Sequence, residues 1–226
     1  MSRGDPGAAD LRHVDTWLFD LDNTLYPAES GLGALMEPVI TGYVMKTAGL
    51  DRDAAYALQK RYLADYGTTL RGLVLHHGVD PVAYNAAFHE LSLECLAPDA
   101  ALRGALARLP GRRLIFTNAD ARHAERVIER LGLAGLFADV FHIASAAFVP
   151  KPSPDTFARI VAAHAIAPAS TAFFEDAERN LAPAAKLGMT TVLVGAHAAA
   201  SAAAFVDFRA AGLAVFLEGA RLKDDR

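Results

Sequence analysis

The chain has 226 residues, 53% of them hydrophobic and 21% charged, with a formal net charge of −4 at pH 7. That balance excludes general disorder, and the length allows one or two domains with cores large enough to fold without staples. With no basic excess, a protein that wraps a nucleic-acid polymer is excluded, whereas a small anionic substrate held by a local cluster of cations is not.

Met1 to His13 carries Gly4, Pro6 and Gly7 and reads as a loose arm; it lacks the apolar run of a secretory signal. Thr16-Trp17-Leu18-Phe19 is a short apolar run leading into Asp20, the pattern of a buried strand that ends at a polar site. From about Gly31 to Arg108 the signals are helical. Leu32, Leu35, Met36, Val39, Ile40 and Tyr43 recur at three- and four-residue spacing. Asp51 is a good N-cap for a second helix, Asp80-Pro81 opens a third, and Pro98-Asp99 starts another that ends near Pro110-Gly111. Cys95, the one cysteine, cannot form an internal disulfide and reads as a small buried residue in a reducing compartment.

After Gly111 the rhythm changes to alternating strands and helices. Strands are predicted at Arg113 to Thr117, Asp139 to Ile143, Thr171 to Phe174 and Thr190 to Val194. Helices are predicted at Arg122 to Leu131, Pro154 to Ala165, Leu181 to Leu187 and about Ala199 to Ala211. The charge-free stretch Leu187 to Val206 is long enough to span a bilayer, but its change at Gly195 from β-branched to alanine-rich predicts a strand and then a helix. Gly219 to Arg226 is charged and reads as a frayed end. Alternation of this kind implies an α/β fold, a parallel sheet with helices on both faces. The helical insertion after the first strand would lie over the carboxyl edge of that sheet, where such folds bind ligands, and is a candidate lid.

The polar residues at the strand ends form a set: Asp20-Leu21-Asp22-Asn23-Thr24, Thr117-Asn118, Pro150-Lys151-Pro152 and Glu175-Asp176. All lie at or near the carboxyl edge and can converge. Asp20, Asp22 and Asp176 are hard oxygen donors suited to Mg²⁺, which would relieve their mutual repulsion and recruit phosphate oxygens. Lys151 adds a compact positive charge and Thr117 a hydroxyl donor, as phosphoryl transfer requires. Asp20 and Asp22, two apart in extended chain, point to the same side, so one can attack phosphorus while the other handles the leaving-group proton.

These four motifs, in this order, resemble those of the haloacid dehalogenase superfamily over residues 15 to 215. The resemblance implies a Rossmann-like core formed by residues 1–26 and 109–226, with an all-α cap over residues 27–108. It implies Asp20 as nucleophile, Asp22 as general acid and then general base, and Thr117, Asn118 and Lys151 around the phosphate. It implies Mg²⁺ held by Asp20, the backbone carbonyl of Asp22, and Asp176, with Glu175 beside them. Asn180 stands where many relatives carry Asp. Asp22 to Pro27 and Tyr66 to Leu73 look more narrowly like the pyrimidine 5′-nucleotidase group. That likeness implies a nucleoside monophosphate substrate; the lone cysteine and the lack of a secretory run predict a cytoplasmic enzyme, and charge and hydropathy pattern predict neither membrane nor nucleic-acid polymer as partner. Arg71 and Tyr26 are candidate substrate contacts; Arg71 reads equally well as a structural arginine. Other readings are a phosphatase for phosphoglycolate or a sugar phosphate, a phosphoglucomutase-type phosphotransferase, a dehalogenase proper and a non-catalytic phospho-binding module. Adjacent His76 and His77 point to different sides of a helix and read as ordinary residues of the insertion, not as a metal pair.

Overall fold

A computed structural model describes residues 8–223. A short strand, β1 (Thr16–Phe19), is followed by four helices: α1 (Leu32–Ala48), α2 (Arg52–Tyr66), α3 (Thr69–His77) and α4 (Pro81–Ala86). The chain then returns through α5 (Ala100–Ala107) to β2 (Arg112–Phe116), α6 (Ala121–Arg130), β3 (Asp139–Phe141) and α7 (Pro154–Ala163). It closes with β4 (Thr171–Glu175), α8 (Glu178–Leu187), β5 (Thr190–Val194), β6 (Phe208–Ala210) and α9 (Leu213–Gly219). The six strands form one sheet in the order β3-β2-β1-β4-β5-β6, every pair parallel.

Strand residues alternate between two faces, and both are buried, which is why the central strands read as unbroken apolar runs. Trp17, Phe19, Ile115, Phe174 and Val192 face one cluster, with Val127 of α6 and Leu217 of α9. Leu18, Leu114, Phe116, Phe173 and Leu193 face the other, with Phe157 of α7 and Leu181 of α8. Each fully buried phenylalanine contributes about 1.5–3 kcal/mol of transfer free energy. The ring of Phe19 stacks on that of Phe174, 4.8 Å between centroids, which locks β1 to β4 at the register the site needs.

The inserted helices have an apolar cluster of their own, built from Val44, Leu58, Tyr62, Leu73, Tyr84 and Phe88. Asp51, Thr68 and Asp80 cap α2, α3 and α4, each carboxylate or hydroxyl accepting from an unpaired N–H of the first turn. Gly72 lets α3 lie directly on α2, since a Cβ there would meet the Tyr62 ring at 2.2 Å. Leu93, Leu96 and the inward face of α5 (Leu102, Ala105, Leu106) join the sheet's cluster instead of that of the insertion.

Several expectations are corrected. No helix spans residues 199 to 211; a 3-10 turn at Ala198–Ala200 precedes β6, and α9 follows. The alanine bias toward helix is overridden by side-chain bonds. Thr191 Oγ1 donates to the Phe205 carbonyl at 2.6 Å and the Asp207 carboxylate accepts from Thr191 N at 2.9 Å, pinning the turn at residues 204–205 and the lead into β6 against β5. The chain ends are not loose where described: Leu11 N donates to the Arg221 carbonyl and Arg221 N to the Ala9 carbonyl, with Leu11 and Leu222 buried. Residues 1–7 of the expected arm and 224–226 of the expected frayed end lie outside the described residues. Cys95 is exposed, not buried. Among the described residues, no helix is long and apolar enough to cross a membrane.

Candidate active site

The sheet order places β1 between β2 and β4, so chain connections diverge on either side of the β1 carboxyl end. Open α/β sheets form their ligand crevice at this kind of switch point. Backbone pairing runs up to the site itself: Asp20 N donates to the Phe174 carbonyl and Thr117 N to that of Phe141, both near 3 Å. Beyond Asp20 the chain turns tightly. Leu25 N reaches the Leu21 carbonyl at 3.0 Å, and Asn23 takes a positive φ of 62° that asparagine tolerates. The turn brings Thr24 Oγ1 to within 3.2 Å of Asp20 Oδ2, and Asn23 Nδ2 to within 3.3 Å of Asp176 Oδ2.

Lys151 is the hub. Its ammonium, 1% exposed, donates to Asp20 Oδ1 (2.8 Å), Glu175 Oε2 (2.7 Å) and the Phe116 carbonyl (2.6 Å). The backbone of Lys151 is clamped by Asn118, whose Oδ1 accepts from Lys151 N and whose Nδ2 donates to the Lys151 carbonyl. The Lys151–Pro152 peptide is cis. All three ammonium donors are used, the condition under which a buried lysine keeps its charge. Its pKa lies above the usual value: burial pulls downward, but Asp20 and Glu175 outweigh it. Thr117 is buried beside them, its hydroxyl accepting from Ala119 N.

Asp20, Glu175 and Asp176 bring carboxylate oxygens within 4.8 Å of one another. Three acids share one ammonium, so negative charge is in excess. Burial, then repulsion from Glu175, raises Asp20 to about 7. Burial also raises Glu175 to about 7, against the pull of Lys151, and Asp176 is raised by burial and by Asp20. Hard oxygen donors with surplus negative charge fit a divalent cation such as Mg²⁺. Glu175 is engaged on both oxygens, by Lys151 and by Ala177 N (3.1 Å), and Asp20 is engaged on both by Lys151 and Thr24, whereas Asp176 takes Asn23 on Oδ2.

Asp22 sits apart from Lys151. Its Oδ1 accepts from Tyr26 Oη (2.5 Å) and from His123 Nε2 (2.8 Å). Burial alone would raise Asp22, but His123 and Tyr26 hold it below the usual carboxylate range. His123 lies above its ordinary value because Asp22 outweighs the effect of its burial, and the Tyr26 phenol is pushed up by burial and Asp22. Asp22, Tyr26, Asn118 and His123 line a cavity of about 520 Å³, walled on the far side by Ile40, Tyr84 and Phe88 of the insertion.

A profile of haloacid dehalogenase-like hydrolases matches residues 14–188. The chain belongs to that family. A curated relative, phosphate metabolism protein 8 of Saccharomyces cerevisiae, is 30% identical over 193 residues, covering 78% of this chain. The chain spans 60% of that relative's length. Among solved structures, a HAD phosphatase from Thermococcus onnurineus superposes with a TM-score of 0.61 at 16% identity, covering 92% of this chain and 100% of that one. The L-2-haloacid dehalogenase from Xanthobacter autotrophicus with chloropropionic acid covalently bound gives 0.57 at 17% identity, covering 91% and 97%. At such identities the likeness is one of fold.

In this haloacid dehalogenase-like hydrolase the strand-end motifs converge as the topology requires: Asp20, Lys151 and Glu175 touch, Asp176 adjoins them, and Thr117 and Asn118 flank Lys151. Tyr26 lines the cavity. Arg71 does not; it lies in a separate cleft of about 390 Å³ with Pro150, Pro152 and Arg179, because α3 turns it outward from the cavity's polar floor. Asn180 is buried in the first turn of α8, and its Oδ1 has no hydrogen-bond partner among the described residues. His76 and His77 pair with Tyr66 and Tyr62 of α2. Sequence reasoning missed His123, three residues past the Asp120 N-cap, and His197, whose ring reaches the Asp176 carbonyl at 2.8 Å. Both lie far along the chain from their partners, and no local pattern announces them.

Proposed function

We infer that this hydrolase is a phosphomonoesterase that works through an aspartyl-phosphate on Asp20, with nucleoside monophosphates, pyrimidine ones first, as substrates. The observation that carries the reading is Asp22: a second carboxylate facing the cavity, with Oδ1 held by two donors and Oδ2 taking no hydrogen bond from the described residues. A phosphate ester requires such a group, because its alkoxide must leave with a proton and its acyl phosphate must be opened by a deprotonated water. A halide leaves without a proton, so displacement of halide needs no second acid. Asp22 therefore counts against the dehalogenase reading that the Xanthobacter fold likeness suggests.

In this reading a carboxylate oxygen of Asp20 forms a bond to phosphorus as the ester P–O bond breaks. The departing oxygen takes a proton from Asp22, whose proton affinity the incoming anionic phosphate raises. Asp22, now a carboxylate, removes a proton from water. The hydroxide so generated attacks phosphorus and frees Asp20, and Asp22 is again protonated. Lys151 keeps Asp20 oriented, and Thr117 stands ready to donate to a phosphate oxygen. Bound Mg²⁺ would neutralise charge on a phosphate oxygen; Asp20, Asp176 and the Asp22 carbonyl would hold it. The insertion roofs the cavity and excludes bulk water from the first step. Tyr84 and Phe88 give that roof aromatic faces, and Asn85 and Gln59 give it amides, a lining suited to a planar heterocycle with a hydrogen-bonding edge.

The test is a panel of phosphomonoesters with Mg²⁺, comparing kcat/KM for UMP, CMP, dTMP, purine nucleotides, phosphoglycolate and sugar phosphates. Preference for UMP, CMP or dTMP is expected, with all turnover lost in Asp20→Asn. Preference for phosphoglycolate or a sugar phosphate would overturn the nucleotide assignment and leave the phosphatase one standing. Metal-independent halide release would overturn both.

A further inference from the structure

We propose that His123 is a positioning residue for Asp22, and that Asp120 and His89 tether it to the helical insertion, so that the acid–base carboxylate is aimed when the insertion is seated. The inference rests on Asp22 being the proton donor of the proposed reaction.

His123 is 4% exposed, and its Nε2 lies 2.8 Å from Asp22 Oδ1. Its other nitrogen, Nδ1, is buried without a partner among the described residues. A buried ring nitrogen left unpaired costs stability, and an apolar side chain would fill the same space without that cost. Among the described residues, the ring's one hydrogen bond is to Asp22. Together with Tyr26 Oη it places two donors on a single oxygen, which fixes the carboxylate plane and leaves Oδ2 for the cavity. A carboxylate on a turn with Asn23 at positive φ has several rotamers open to it; two donors from different elements select one.

What holds His123 is equally specific. It lies in the first turn of α6, and Asp120 Oδ1 accepts from His123 N at 2.7 Å. The other oxygen of Asp120 meets His89 Nε2 at 2.7 Å. His89 belongs to the segment returning from α4, and Arg126 of the same α6 grips that segment through the Leu91 carbonyl at 2.6 Å. One helix thus carries the Asp22 contact on its inner side and the grip on the insertion at its start. Displacing the insertion would release His89 from Asp120, loosen the α6 cap and free Asp22 to leave its aim.

The experiment is a leaving-group series. kcat/KM is measured with Mg²⁺ for aryl phosphates whose phenols range from weakly to strongly basic, p-nitrophenyl phosphate at one end and phenyl phosphate at the other. A well-aimed acid gives the leaving oxygen its proton and flattens the dependence; a misaimed one steepens it. His123→Ala is expected to lose about 100-fold on the most basic leaving group, the scale of a misplaced catalytic group, and far less on p-nitrophenyl phosphate. His123→Gln, whose amide can donate to the same oxygen, is expected to recover a shallow slope. His89→Leu, at a partly exposed position, is expected to steepen it to an intermediate degree. A uniform loss across the series in His123→Ala would mean a merely structural histidine and overturn the proposal; if that variant fails to fold, a steep slope in His123→Gln does the same. A wild-type slope in His89→Leu would overturn the tether. Asp22→Asn is the control: a wild-type slope there would remove Asp22 as the acid, a failure of the underlying reading and not of the positioning argument.

Discussion

Lys151→Met deletes the positive charge at the centre of the site while keeping its stem. The ammonium makes three hydrogen bonds of 2.6–2.8 Å, two of them to carboxylates that are themselves buried. Removing one partner of a buried ion pair costs about 3–5 kcal/mol, and here two acids lose the same partner, which puts the loss at the upper end, about 5 kcal/mol. For a chain of this length that is a fall in Tm of about 10–20 °C. The loss depends on pH with a definite sign. Asp20 and Glu175, already at about 7 with the lysine present, rise further without it. A carboxyl group whose folded pKa exceeds its unfolded one binds more protons when folded, so stability falls as pH rises from the unfolded values near 4 through the folded ones. The variant should therefore lie closest to wild type at pH 5 and furthest below it at pH 8. Thermal melts by circular dichroism in EDTA at both pH values measure this. Equal melting points for variant and wild type at pH 8, or a deficit as large at pH 5 as at pH 8, would refute the account of Lys151 as neutraliser of Asp20 and Glu175.

Other outcomes follow from the same geometry. Mg²⁺ should raise the Tm of the EDTA-treated protein at pH 8, where the acidic cluster is ionised, and should raise it less in Asp176→Asn; identical shifts would remove Asp176 from the cation site. Gly72→Ala would drive a methyl group into the Tyr62 ring, and over-packing of this kind costs about 1–3 kcal/mol. Its urea midpoint should fall accordingly, and an unchanged midpoint would mean α2 and α3 are not in tight contact. Asp207→Ala leaves Thr191 N without its acceptor, a loss of about 1–3 kcal/mol read as faster amide exchange in β5 and β6.

Much of this molecule is legible in the sequence because strand ends in a parallel sheet are local events. An apolar run stopping at Asp20, Thr117 or Glu175 marks both a strand and its carboxyl edge, so fold and principal site residues come from one pattern. Helix caps at Asp51, Asp80 and Asp99 are equally local. What stays hidden depends on partners distant in the chain. Residues 199–211 read as helix from alanine content, yet bonds between Thr191 and residues 205–207 hold the latter part as a turn leading into β6. The amphipathic pattern of α5 does not say which core it enters, and it enters the sheet's. His123 looks like any first-turn residue until Asp22, from the other end of the chain, is beside it. Arg71, a candidate substrate contact, sits one cleft away, because spacing along α3 does not reveal which side of the insertion faces the sheet.

The most direct test of the central claim is chemical. The enzyme is mixed with Mg²⁺ and p-nitrophenyl phosphate, quenched in acid within the first turnover, digested and mapped by mass spectrometry. A phosphoryl group on Asp20, absent in Asp20→Asn and discharged by water when the quench is delayed until substrate is spent, is the predicted result. Turnover with no covalent phosphate at Asp20, or undiminished turnover by Asp20→Asn, would contradict it.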